Sequence, residues 1–173
     1  CIGRHWQCGT IQLDFNLPSR LSSEYITDTD SRAAPVMIHR ALLGSLERFT
    51  GILIEHFAGD FPMWMAPIQI VLTGISEKQE DAVIALRDRL KIEGFRVEHD
   101  LRNEKVNYKV REHSLQKIPM IGVLGDREVD NGTVSIRRFG NPKPMVLSVD
   151  DWIAALHAEI NERRLPPAFL KKD

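Results

Sequence analysis

The stretch Gly9–Phe15 alternates polar and apolar side chains without interruption. Its polar residues are Thr10, Gln12 and Asp14, and the residue that follows each of them is apolar. Successive side chains of a strand point to opposite faces, so this pattern predicts a β-strand with one apolar face and one hydrogen-bonding face. Many half-exposed strands turn such a polar face to water. The alternation therefore predicts local structure but does not by itself define a site.

A second segment, Pro35–Phe49, has the pattern of a short strand followed by a helix. We predict the strand over Pro35–His39, because proline cannot donate to a ladder and suits a strand entry. We predict that the helix opens with Gly44 and buries one apolar stripe against a sheet, because apolar residues recur at helical spacing. The stripe comprises Leu42, Leu46, Phe49, Leu53 and Phe57. Together the two segments predict half of an active site, whose other half is not in this chain.

Three polar residues of these segments have both an ordinary and a functional interpretation. The amide of Gln12 can hold the amino or hydroxyl groups of a ligand without titrating. A lone histidine such as His39 is more often packed or exposed than a metal ligand, since zinc needs several nitrogen or sulfur ligands. Arg48 lies one turn into the predicted helix, where it can add a charge-assisted contact to a phosphate at the helix N-terminus. Taken in isolation, an exposed arginine on an amphipathic helix is the simpler interpretation.

From about residue 62 onward the chain alternates predicted strands and helices, after a predicted linker over Gly59–Pro67. Three helices are predicted. One begins at Ser76 with a capping box to Gln79 and ends at Gly94. The others run from Asn103 to Lys117 and from Ser148 onward. Strands are predicted over Ile68–Ile75, Phe95–Leu101, Met120–Val129 and Gly132–Arg138. The last two are expected to form a hairpin at Asp130-Asn131-Gly132. The pattern predicts an α/β domain with a mixed sheet over residues 62–173, preceded by a separate unit over residues 1–61.

Composition limits the class of protein. The chain has 173 residues, of which 43% are hydrophobic and 27% charged, with a net charge of −1. This balance is ordinary for a soluble protein and argues against bulk electrostatic capture of nucleic acid, including DNA. No apolar run approaches the roughly 20 residues that span a membrane. Two cysteines, Cys1 and Cys8, give no disulfide framework, which favours a reducing, cytoplasmic compartment. Because the chain starts with Cys1 rather than Met, we expect it to be a fragment.

Taken in order, several segments resemble the threonyl-tRNA synthetases, a family of class II aminoacyl-tRNA synthetases. Trp6–Phe15, Leu17–Leu21 and Pro35–Phe49 are similar to the end of the catalytic core, and Leu101–Lys105 and Gly125–Val129 to the anticodon-binding domain. The resemblance implies part of an antiparallel catalytic sheet followed by an α/β anticodon-binding domain. It also implies a part in a ligase that activates threonine with ATP and Mg²⁺, transfers it to tRNA(Thr), and is a homodimer at full length.

The resemblance implies roles for residues of the first unit. His39 matches the third protein ligand of a catalytic Zn²⁺ that binds the amino and hydroxyl groups of threonine. Gln12 matches a contact to threonine, and Arg48 matches the arginine that clamps ATP; these two are the predicted catalytic residues. Further positions of the ATP or adenylate pocket are Gln7, Thr10, Gly44 and Ser45.

In the second unit the resemblance implies anticodon contacts from Asn103, Lys117, Glu128 and Arg137. The other two zinc ligands, the first two class II motifs and the editing domain of the family have no counterpart in the sequence. We therefore expect this polypeptide alone neither to hold zinc tightly nor to form adenylate. Two alternatives stay open: a synthetase-like RNA-binding module without catalysis, and a free-standing RNA-binding domain. The second would explain only the residues from about 62 onward.

Overall fold

The computed structural model describes residues 5–141 and 143–166, so that Cys1 lies outside the described residues. The chain divides into two compact units, Cys1–Ala58 and Gly59–Asp173. The division falls close to the predicted boundary between residues 61 and 62. No helix among the described residues is both long enough and apolar enough to cross a membrane.

The first unit is organised around an antiparallel pair of strands, β1 (Gly9–Asp14) and β4 (Met37–Leu42). The remaining elements are a short helix α1 (Leu17–Arg20), the two-residue strands β2 (Tyr25–Ile26) and β3 (Arg32–Ala33), and helix α2 (Leu46–Phe57). The first strand is therefore confirmed. The segment Ser22–Arg32 contains most of a small antiparallel hairpin.

The second strand and the following helix begin later than predicted. His39 lies inside β4 rather than at its end, and Leu42 ends this strand instead of opening the helical stripe. Ser45, not Gly44, caps α2: its Oγ accepts a hydrogen bond from the backbone N–H of Arg48 at 3.2 Å. Gly44 has a φ of +66°, a left-handed conformation that glycine adopts without strain and that turns the chain from strand to helix.

Much of the apolar surface of the first unit is exposed. The apolar face of β1, with Ile11 and Leu13, is open, and so is Phe15 just beyond it. Leu46, expected in a stripe packed on a sheet, is 71% exposed, so that part of the prediction is wrong. Hydrogen bonding across the strand pair, rather than burial, defines the geometry of this unit.

The second unit contains a five-stranded sheet in the order β6-β5-β7-β8-β9. Its strands are β5 (Ile70–Gly74), β6 (Val97–Asp100), β7 (Met120–Leu124), β8 (Thr133–Arg138) and β9 (Met145–Ser148). The central β5 pairs in parallel with β6 and β7, whereas β8 runs antiparallel to β7 and β9. The predicted α/β fold with a mixed sheet is thereby confirmed, with β9 as an additional strand.

Three helices connect successive strands in the described part of this unit: α3 (Glu80–Ile92), α4 (Val106–Leu115) and α5 (Asp126–Asn131). Helix α6 (Val149–Asn161) follows β9. The capping box of Ser76 and Gln79 is present, in a one-turn 3-10 helix that leads into α3. Ser148 caps α6 as predicted, its Oγ accepting from the backbone N–H of Asp151 at 3.1 Å. Helix α4 begins three residues after Asn103, which therefore lies in the preceding loop rather than in the helix.

The predicted hairpin at Asp130-Asn131-Gly132 is wrong. Helix α5 separates β7 from β8, and Gly132 ends it with a φ of +64°. The carboxylate of Glu128 accepts a hydrogen bond from the backbone N–H of Gly125 at 3.0 Å and so caps the start of α5. An Asn-Gly pair favours left-handed backbone, which suits a helix end as well as a hairpin turn.

The main hydrophobic cluster of the second unit lies on one face of its sheet. The largest fully buried side chains there include Ile70 and Leu72 of β5, Leu90 of α3, and Trp152 and Leu156 of α6. Gly122 allows this packing, since a Cβ added there would lie 2.6 Å from Cδ2 of Leu72. Side chains alternate along a strand, so the neighbours of these core residues lie on the opposite face of the sheet.

Candidate functional site

In the first unit, the register of β1 and β4 brings two predicted site residues together. Gln12 pairs directly with His39, and Thr10 pairs with Ala41. Directly opposed residues of an antiparallel pair share one face with their Cβ atoms roughly 5 Å apart. The amide of Gln12 and the imidazole of His39 therefore form one polar surface, with Thr10 on the same face of β1.

Asp14 completes this surface, although it was not predicted as a site residue. Its Oδ2 lies 3.1 Å from Nε2 of His39, across the diagonal of the strand pair. Its Oδ1 accepts hydrogen bonds from the backbone N–H groups of Leu17 and Asn16, both at 2.9 Å. The backbone N–H of Leu17, followed by that of Asn16 and the His39 ring, lowers the pKa of Asp14. The carboxylate is thus held ionised beside the histidine.

His39 suits a metal as one ligand among several. Its side chain is 42% exposed, and Nδ1 has no hydrogen-bond partner among the described residues. Over that part of the chain, no group of three or more His, Cys, Asp or Glu side chains could hold a metal ion. A zinc site built on His39 therefore needs ligands from beyond the described residues.

The N-terminus of α2 carries the predicted nucleotide-binding residues. Ser45 Oγ donates to the carboxylate of Glu47 at 2.6 Å, which lowers the pKa of Glu47. The guanidinium carbon of Arg48 lies 5.1 Å from the centre of the Trp6 ring, within the range of a cation–π contact. Gln7 donates from Nε2 to the carbonyl of Gly9 at 3.4 Å. Arg48 is thus oriented by an aromatic ring, and the Ser45 hydroxyl is engaged within its own helix cap.

In the second unit, Asn103 lines a small depression beside the carboxyl ends of β5 and β6. Gly74, Ser76, Arg102 and Glu104 also line it. Ligands of open α/β sheets bind outside the carboxyl ends of the strands. Asn103 therefore lies at an edge of the sheet that suits recognition.

A charged cluster fixes the loop that carries Asn103. The carboxylate of Asp100 accepts from Arg102 Nη2 at 2.7 Å and lies 2.9 Å from Nε2 of His113. Arg102 also donates to Glu112 of α4 at 2.6 Å. The Arg102 guanidinium, with the His113 ring, holds the pKa of Asp100 well below its usual range. These contacts join the loop after β6 to α4, and sequence reasoning missed them.

The other predicted anticodon contacts lie at different places on the second unit. Arg137 lies on the sheet face opposite the core, in a depression shared with Val110 and Ser114 of α4. Lys117 lines another depression, with Phe61 among its other residues, and Glu128 is engaged in the cap of α5. The structure thus gathers Gln12 with His39 in the first unit, whereas Asn103, Lys117 and Arg137 line three separate depressions.

Comparison with known families agrees with this division into two units. Residues 69–159, more than half of the chain, match the family described as "Anticodon binding domain". The chain belongs to the anticodon-binding domain family. Residues 1–57 match a second family, the "tRNA synthetase class II core domain (G, H, P, S and T)". The anticodon-binding domain thus follows a segment similar to a class II core.

Relatives of this anticodon-binding domain chain are named as ligases. The chain is 54% identical over 163 residues to the threonine–tRNA ligase of Bordetella pertussis. This match covers 94% of the chain and 25% of that protein. The crystal structure of the RNA binding domain of threonyl-tRNA synthetase from Cryptosporidium parvum is 35% identical with a TM-score of 0.84, covering 90% of this chain and 40% of that one. A structure of the putative threonyl-tRNA synthetase ThrRS-1 from Aeropyrum pernix is 27% identical with a TM-score of 0.68, covering 94% and 40%. The chain spans about a quarter of the length of the curated relatives it matches.

Proposed function

We propose that the chain acts in threonine–tRNA ligation. Its first unit supplies part of the threonine and ATP site, and its anticodon-binding domain contacts tRNA(Thr). The main observation that supports this proposal is the strand register, which pairs Gln12 with His39 on one face of the β1–β4 pair. The chain is also 54% identical to a threonine–tRNA ligase. Because the chain spans a quarter of such relatives, we infer that it contributes to the reaction only together with further parts of the enzyme.

On the amino-acid side, Gln12 and His39 recognise threonine. The Gln12 amide can both donate and accept, which suits the amino and hydroxyl groups of the substrate. His39 supplies one ligand to a Zn²⁺ ion, and such an ion when bound offers a Lewis acid to those same groups. A site built around a polar partner rejects an isosteric apolar substrate such as valine far better than a shape-complementary pocket does.

On the nucleotide side, Arg48 acts as the clamp for ATP bound with Mg²⁺. Its place one turn into α2 supports this role, because a helix N-terminus and a planar guanidinium both favour phosphate oxygens. The carboxylate of threonine attacks the α-phosphate, a new O–P bond forms, and pyrophosphate leaves. Arg48 stabilises the charge that spreads over the phosphates in this transition state. Gln7, Thr10, Gly44 and Ser45 shape the adjoining pocket.

The anticodon-binding domain reads tRNA through separate contacts rather than one pocket. Single-stranded bases that are unstacked can be recognised one at a time by amides, carboxylates and arginine. The separate positions of Asn103, Lys117 and Arg137 support such a spread surface, in which Glu128 takes part through its carboxylate. The homodimeric state and the cytoplasmic location belong to the same proposal.

The test uses the full-length ligase that contains this chain. We expect threonine-dependent ATP–pyrophosphate exchange, unchanged by Arg137→Ala. The same substitution should weaken tRNA(Thr) binding by about 1–3 kcal/mol, because it removes a specific contact. Arg163→Ala, which removes an equal charge from an exposed position on the same unit, is the matched control. Equal loss of exchange and tRNA binding would contradict the division of labour, and absence of threonine-dependent exchange in the wild type would contradict the proposed activity.

A further inference from the structure

The two oxygen atoms of Asp14 have different partners. Oδ1 is held by the backbone N–H groups of Asn16 and Leu17, at the start of α1. Oδ2 is left to contact Nε2 of His39 at 3.1 Å. The carboxylate is therefore fixed by the backbone on one side and aimed at the histidine on the other. This arrangement links residues 25 positions apart.

We propose that Asp14 is a positioning residue that keeps the proton of His39 on Nε2 and so leaves the lone pair of Nδ1 for the zinc ion. The inference rests on the proposed function, since the zinc site belongs to it. An ionised carboxylate only accepts hydrogen bonds, so the nitrogen that faces Asp14 must be the donor. In a neutral imidazole the other nitrogen is then unprotonated, and only an unprotonated nitrogen can bind a metal.

Three features separate this arrangement from an incidental contact. Oδ1 of Asp14 is held by two backbone N–H groups, so Oδ2 is the oxygen that faces the His39 ring. Nδ1 of His39 has no partner within the described part of the chain, and the ring is 42% exposed. Gln12, the proposed threonine contact, lies directly opposite His39 on the same face. Metal-binding histidines commonly donate their second ring N–H to a carboxylate, which fixes both tautomer and ring orientation.

The variant Asp14→Asn separates positioning from folding. The Asn oxygen can still accept from the backbone N–H groups of Asn16 and Leu17, so the hydrogen bonds to the start of α1 are kept. Its NH₂ group then faces Nε2 of His39, which must become the acceptor. The proton moves to Nδ1, where it blocks metal binding. Asp28→Asn removes the same charge from an exposed position in the same unit and serves as the matched control.

The first measurement is ¹⁵N NMR of the histidine rings in the 173-residue chain, in alkaline solution, where imidazole is neutral. The spectrum of a His39→Gln variant assigns the His39 signals. We expect the Nε2–H tautomer in the wild type and in Asp28→Asn, and the Nδ1–H tautomer in Asp14→Asn. A wild-type ring protonated on Nδ1 would overturn the inference whether or not the ligase activity is found.

The second measurement is the zinc affinity of the full-length ligase, by metal competition. Asp14→Asn should lower it by roughly 10- to 100-fold, and Asp28→Asn should leave it unchanged. Equal zinc affinity of Asp14→Asn and wild type would overturn the positioning role while the proposed function stands. A wild-type ligase that binds no zinc would instead overturn the zinc site itself, and with it the inference.

Discussion

Each unit contains an aspartate hydrogen-bonded to a histidine, and the two pairs differ mainly in burial. In the first unit, Asp14 and His39 lie 3.1 Å apart with side chains 26% and 42% exposed. In the second, Asp100 and His113 lie 2.9 Å apart with side chains 4% and 14% exposed. Asp100 also binds Arg102, and Nδ1 of His113 is buried without a partner among the described residues.

The difference shows how one pair of residue types can serve two purposes. The Asp100 pair joins a loop to a helix, and each of its two buried side chains depends on the other because water cannot replace a lost partner. The Asp14 pair keeps one ring nitrogen accessible and is more exposed to solvent, so its removal changes the state of His39 more than the stability of the unit. Burial therefore predicts a structural role for the Asp100 pair and a functional role for the Asp14 pair.

The largest change in the free energy of unfolding is expected for Asp100→Ala. The substitution leaves the guanidinium of Arg102 and the ring of His113 without their shared carboxylate. Removing one partner of a buried ion pair costs about 3–5 kcal/mol, and we expect a loss near the lower bound because the Arg102 side chain is half exposed. Urea unfolding of the chain, followed by the near-UV signal of the buried Trp152, measures it.

Two variants sharpen this comparison. Asp88→Ala removes a more exposed carboxylate that pairs with Arg87 on the same unit, and should change the unfolding free energy by about 0.5 kcal/mol or less. Asp14→Asn should leave the Trp152 transition unchanged. If Asp14→Asn lowered the free energy of unfolding measured by Trp152 as much as Asp100→Ala does, burial would not distinguish the two pairs.

The pH dependence of stability gives the next effect. The folded-state pKa of Asp100 is lowered, so its stabilisation is complete above the unfolded pKa of about 3.9 and is lost as the pH falls through the folded value. We expect the unfolding free energy of the wild type to decline below about pH 4. Asp100→Asn cannot titrate and should show a shallower decline. Parallel profiles from pH 7 to pH 3 would contradict this assignment.

Local signals in the sequence were sufficient for much of the second unit. The capping box of Ser76 and Gln79 and the cap at Ser148 depend on residues three positions apart, and both are present. Strands β5 and β7 lie within the segments Ile68–Ile75 and Met120–Val129, for which the sequence predicts strands. Gly132 does not distinguish a hairpin turn from a helix end, because left-handed backbone is common to both.

The candidate site was only partly predictable, because its geometry depends on register. The sequence placed Gln12 and Asp14 on one polar face, but nothing local relates them to His39. Only the antiparallel pairing of Gln12 with His39 places Asp14 diagonally across the strand pair from His39. The Asp100 cluster was missed for the same reason, since it joins β6 to α4 through side chains whose contact depends on packing.

The smallest change is expected for substitutions of Trp6, and it concerns the KM for ATP. The contact of Trp6 with Arg48 is a second exposed contact of the first unit, beside that of Asp14 with His39. The Trp6 ring lies 5.1 Å from the guanidinium carbon of Arg48 and is itself 39% exposed. A cation–π contact at such a site is worth about 0.5–1 kcal/mol. In the full-length ligase, Trp6→Ala should therefore raise the KM for ATP about two- to fivefold, with the KM for threonine unchanged.

The controls for Trp6 separate orientation of Arg48 from general damage to the unit. Trp6→Phe keeps an aromatic face and should lose less ATP affinity than Trp6→Ala, whereas Tyr25→Ala removes another exposed aromatic ring of the first unit and should lose none. A parallel rise of the KM for threonine would mean that Trp6 supports the whole strand face. A rise confined to ATP would assign the ring to Arg48 alone, because Gln12 and His39 are oriented by the β1–β4 register and not by Trp6.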